Sequence, residues 1–129
     1  MWWSLWLIWT TVIVSVTTLP WSNYVGHPHW SSVRWIPFHD PPLALFDIVA
    51  NVALFVPLGF FFTRALPNVS LRRRALLTLF SALLLSGSVE YFQVYCHNRI
   101  PSTTDILTNV LGAGLGAMLA GAKVARKNS

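Results

Sequence analysis

The chain reads as an all-α integral membrane protein with four transmembrane helices, on three observations. It is 54% hydrophobic and only 10% charged, whereas soluble domains carry about 25% charged residues. Long apolar segments recur at about residues 2–20, 43–66, 75–95 and 103–122, and about 20 apolar residues make a helix that crosses a hydrocarbon core of about 30 Å. The basic residues fall in short clusters beside these segments. That patterning belongs to membrane-protein loops and argues against nucleic acid as a partner, despite a formal charge of +5. At 129 residues the chain is one domain, residues 1–129.

The first segment, Trp2 to Pro20, has only Ser and Thr as polar residues. It lacks Lys or Arg at its start, and Thr17-Thr18-Leu19-Pro20 is not a small-residue cleavage site, so it is expected to be a retained helix rather than a signal peptide. Between Trp21 and Pro42, the residues Pro28, Pro37, Pro41 and Pro42 preclude a spanning helix. The rings of Trp21, Tyr24, Trp30 and Trp35 suit the headgroup level, so a Trp/Pro-rich interfacial loop is expected there. His27, His29, His39 and Asp40 in that loop are ordinary zinc-ligand types. Their spacing matches no zinc pattern, and neither a metal nor a cofactor is expected. The single Cys96 excludes an internal disulfide and reads as a small apolar residue near a helix end.

In the second segment, Leu43 to Leu66, Asp47 and Asn51 share a face one turn apart, and Pro57 leaves the carbonyl of Ala53 without its helical donor. Arg64, Pro67 to Ser70 and Arg72-Arg73-Arg74 form a basic connection to the third segment, Ala75 to about Tyr95. There Glu90, Gln93 and His97 fall at helical spacing on one face. Cys96 to Pro101 reads as a turn containing Arg99. Ser102-Thr103-Thr104-Asp105 resembles a capping box with Asp in place of Glu, an acid that the helix dipole favours anywhere. Along the fourth segment, Gly112/Gly116, Ala113/Ala117 and Ala117/Gly121 form a small-residue face. Such a face packs helices closely, and Gly112/Gly116 is the candidate interface of a homo-oligomer.

Four spans put Arg64, Arg72, Arg73, Arg74, Lys123, Arg126 and Lys127 on one side, and only Arg34 and Arg99 on the other. The positive-inside rule then sets both termini in the cytoplasm. In that orientation Asp47 and Asn51, Glu90 and Gln93, and Asp105 and Asn109 come to one depth near the extracytoplasmic side. A charge at the centre of a membrane helix costs about 2.5–3.5 kcal/mol even on insertion scales, so such residues call for a function. Arg99 is the expected cation for Glu90 or Asp105, and a shared polar cavity is the expected structure.

Three blocks of sequence resemble the VanZ-like family of small bacterial membrane proteins. Asn51-Val52-Ala53-Leu54-Phe55-Val56-Pro57-Leu58-Gly59 is similar to its N-x-x-x-F-x-P-x-G segment, and Glu90-Tyr91-Phe92-Gln93 to its E-x-x-Q. Arg99 to Gly112 is similar to its R-x-x-S-x-x-D-x-x-x-N-x-x-G. The resemblance covers residues 51–116 in the family's order. It implies a four-helix protein of the bacterial inner membrane and cell envelope, and the founding member's association with resistance to the glycopeptide antibiotic teicoplanin. Asn51, Glu90, Gln93, Arg99, Ser102, Asp105 and Asn109 occupy the motif positions, and the resemblance supplies no reaction.

The leading expectation is a pocket that binds a membrane lipid headgroup, a lipid-linked cell-wall precursor or an amphiphilic antibiotic, with those seven residues as ligand contacts. A membrane-embedded enzyme acting on a lipid-linked phosphate or ester is the alternative. In it Glu90 and Asp105 would divide general-base and electrostatic roles and Arg99 would stabilise developing negative charge. Against it stands the lack of a nucleophile–base pair or a phosphate-cradling loop in the sequence. A third reading is a structural or interaction subunit, with Glu90, Arg99 and Asp105 as an ionic clasp between helices.

Overall fold

A computed structural model describes residues 1–39 and 45–127, with side chains as far as 122. Asp40, Pro41, Pro42 and the expected helix start at Leu43 therefore lie outside the described residues, as do the side chains of Lys123, Arg126 and Lys127. Four long helices dominate: α1 (Trp2–Thr18), α2 (Leu45–Ala65), α3 (Leu71–Gln93) and α4 (Thr103–Lys127). Among the described residues there is no strand. Three helical stretches, α2, α3 and Thr103–Ala122 of α4, are long and apolar enough to cross a membrane; α1 is apolar but has 17 residues, about 26 Å of rise.

The helix ends follow from local chemistry. α1 stops at Thr18 because Leu19 precedes a proline and takes extended backbone, φ −79° and ψ 150°. α2 runs on through Pro57. Next to the carbonyl that this proline leaves without a donor, the Trp9 indole N–H of α1 donates to the Leu54 carbonyl at 2.8 Å. A neighbouring helix thus supports α2 where its own bonding is weakest.

α3 begins at Leu71, ahead of the expected Ala75, so Arg72, Arg73 and Arg74 belong to its first turn and not to the connection. Arginine is a good helix former, and Arg74 donates back to the carbonyls of Pro67 and Val69, tying the helix to the turn before it. At its other end α3 stops at Gln93, so His97 does not share the face of Glu90 and Gln93.

Glycine sets the closest approach in the bundle. A Cβ on Gly59 would collide with the Ala113 carbonyl, one on Gly112 with the Val52 carbonyl, and one on Gly116 with the Val56 carbonyl. The Gly112/Gly116 face expected to join two copies is therefore occupied by α2 of the same chain. Its small residues do bring helices close, but inside the molecule. Ile13, Phe55, Leu58, Ala82 and Ala113 form the buried core. Phe46, Phe80, Leu84, Leu111 and Met118 face outward and are more than half exposed, the inverse of a soluble surface and suited to lipid.

The loop between α1 and α2 is seated on the α3–α4 turn. The Val25 and His29 N–H groups donate to the carbonyls of Tyr95 and Val94, and His97 N–H donates to the Asn23 carbonyl, at 2.9–3.0 Å. Arg34 N–H donates to Pro101 and Thr103 N–H to Arg34, at 2.9 and 3.1 Å. Tyr24 stacks on Phe92 and Tyr95.

Candidate functional site

The α2–α4 seam holds the first turn of α4 beside the first two turns of α2. Asn51 of α2 donates its side-chain N–H to Asp105 Oδ1 of α4 at 2.9 Å. Asp105 is thereby turned away from the role its spacing suggested. In a capping box the acid at the third helical position reaches back to the cap residue's N–H. Here the N–H of Ser102 donates to Glu90 Oε2 of α3 at 2.8 Å, while the Ser102 hydroxyl accepts the N–H of Thr104 at 3.2 Å. A carboxylate from another helix supplies the reciprocal half of the cap.

One turn deeper, Asn109 donates to the Ser86 hydroxyl of α3 at 2.9 Å, and its Oδ1 is buried without a partner among the described residues. These contacts surround a cavity of about 740 Å³. All seven nominated residues, Asn51, Glu90, Gln93, Arg99, Ser102, Asp105 and Asn109, line it, together with Asp47. Arg34 lines it too, and no local pattern pointed there; it arrives through the long-range seating of its loop on Pro101 and Thr103.

Two nominated donors are partly spent on α1. The last carbonyls of a helix lack intrahelical donors. Gln93 Nε2 donates to the Thr17 carbonyl at 3.1 Å and an Arg99 guanidinium N–H to the Leu19 carbonyl at 3.2 Å. Arg99 thus bonds the exit of α1, and the groups bonded to Glu90 and Asp105 are a backbone amide and an asparagine.

Three imidazoles meet outside the cavity. The rings of His27, His29 and His97 have centroids 4.8–6.1 Å apart, a neighbourhood that sequence spacing did not reveal. No group of three His, Cys, Asp or Glu among the described residues is placed to hold a metal ion. Cys96 is buried and its thiol is pushed above the ordinary range by desolvation, consistent with a packing role.

The family model described as VanZ/LLP1 matches residues 2–124, nearly the whole chain and more than the three blocks alone. No curated protein and no solved structure matches it.

Proposed function

This chain belongs to the VanZ/LLP1 family, and from that premise we propose that it is a multi-pass protein of the bacterial inner membrane whose cavity receives the polar head of an amphiphile. In this reading all four helices cross, both termini are cytoplasmic and the cavity opens on the extracytoplasmic side. The split of basic residues supports that orientation. The observation that carries the reading is convergence: α2, α3, α4 and the α3–α4 turn all send motif residues to one space of about 740 Å³, within the range of small-molecule sites. Its guests are a lipid headgroup, a cell-wall precursor or an amphiphilic antibiotic, with teicoplanin resistance as the phenotype that the family resemblance suggests.

A membrane-embedded enzyme has less support. The bonds of Glu90 and Asp105 to a backbone amide and an asparagine give neither carboxylate a hydroxyl or thiol to activate. Native mass spectrometry of detergent-extracted protein tests the binding reading. A co-purifying amphiphile that is lost in Glu90→Gln is expected; bare protein in both samples would overturn it.

A further inference from the structure

Three of the chain's four carboxylates, Asp47, Glu90 and Asp105, line the one cavity. Acids in a cluster do not by themselves make a site, but two further features give this cavity a direction. Glu90 is only 7% exposed. Its Oε2 is taken by Ser102, while its Oε1 takes no hydrogen bond from the described residues and is open to the cavity. Asp105 repeats the arrangement, with Oδ1 on Asn51 and no hydrogen bond to Oδ2 from the described residues. A carboxyl oxygen without a donor is an acceptor for a guest's N–H, so both residues present acceptors to whatever enters.

The cations that line the same cavity come from other segments of the chain. Arg99 sits in the α3–α4 turn and Arg34 in the loop seated on it, beyond the helix ends that carry the acids. The cavity thus carries both signs, with carboxyl groups from the first turns of α2 and α4 and the last turn of α3, and guanidinium groups from the turn and loop that follow or face those ends.

We infer that the cavity selects a primary ammonium group, held by Glu90, Asp105 and Asp47, with an oxyanion of the same guest on the side of Arg99 and Arg34. That is the chemistry of a phosphoethanolamine head, and the inference rests on the amphiphile reading above. An ammonium carries three N–H donors and a positive charge, which together offset the cost of carboxylates held away from water. A trimethylammonium brings the charge without the donors, and a phosphoglycerol head brings hydroxyl donors without the charge. The cavity discriminates against both.

The test uses the purified full chain in phosphatidylcholine nanodiscs doped equally with phosphatidylethanolamine and phosphatidylglycerol, with retained lipid read by native mass spectrometry. Phosphatidylethanolamine enriched about tenfold over the other two, equivalent to about 1.4 kcal/mol, with the enrichment lost in Asp105→Asn and Asp47→Asn, is the expected result. Asp105→Asn keeps an oxygen for Asn51, and Asp47 forms no side-chain bond within the described fold, so at least one variant reports on charge in a folded protein. Equal retention of all three lipids, lost together in the variants, would overturn the amine inference and leave the amphiphile reading standing. No retained lipid overturns both. Soluble phosphoethanolamine added to the loaded nanodiscs identifies the source: displacement of the lipid assigns the site to the head alone, and failure to displace it assigns the site to the intact lipid. Either outcome keeps the ammonium chemistry.

Discussion

α4 is held in two unlike ways along its length. In its middle it lies against α2 with backbone carbonyls filling the places where Gly59, Gly112 and Gly116 have no side chain. At its first turn it is held by single polar bonds, Asn51 to Asp105 and Ser102 to Glu90, around a cavity of about 740 Å³. The seam leaves no room and the first turn encloses a large space. The contrast shows how a bundle this small keeps a cavity open: helix spacing is fixed by backbone contact a turn or two away, so the polar end can stand apart.

The severest way to break this division is to fill the seam. Gly116→Leu would drive a side chain into the Val56 carbonyl, which cannot move without its helix. Overpacking costs about 1–3 kcal/mol and more against rigid backbone, so loss of the monodisperse peak in detergent size-exclusion chromatography is expected. An unchanged peak and melting temperature would show that the seam does not set the spacing. A milder break is Asn51→Ala, which leaves Asp105 without its donor at a cost of about 1–3 kcal/mol. The melting temperature should fall while the peak survives; an unaltered melting temperature would mean that the Asn51–Asp105 bond is not one that the first turn needs.

The smallest effect sharpens the contrast from the opposite side. Gly87 of α3 has nothing within 4 Å of where its Cβ would stand. Gly87→Ala should therefore stabilise the helix by about 0.5–1 kcal/mol in aqueous terms, seen as a slightly higher melting temperature. A loss instead would mean that this face of α3 is packed in the membrane against something absent from a single chain.

Much of this architecture was legible in the sequence because it is local or periodic. Apolar length marked the helices, and helical spacing put Asn51, Glu90, Gln93, Asp105 and Asn109 on faces that do meet. What stayed hidden depends on contacts distant in sequence. Nothing near His97 says that it lies beside His27 and His29, and nothing near Arg34 says that it reaches the cavity. The small residues of α4 announced close packing but not the partner, since a glycine face fits another helix of the same chain as well as a second copy. Charge alone pairs Arg99 with a carboxylate, whereas the carbonyls at the end of α1, which lack helical donors, give its guanidinium an acceptor in Leu19.

The seating of the loop on the α3–α4 turn constrains the order in which the protein can be finished. Residues 23–34 leave the ribosome long before residues 94–103, whose backbone supplies their hydrogen-bond partners. At a synthesis rate of about 5–20 residues per second, the first two helices wait several seconds with that stretch unmatched. Only arrival of the last hairpin closes it, so a transcript cut short after α2 yields a product with no cavity and a row of unanswered backbone amides.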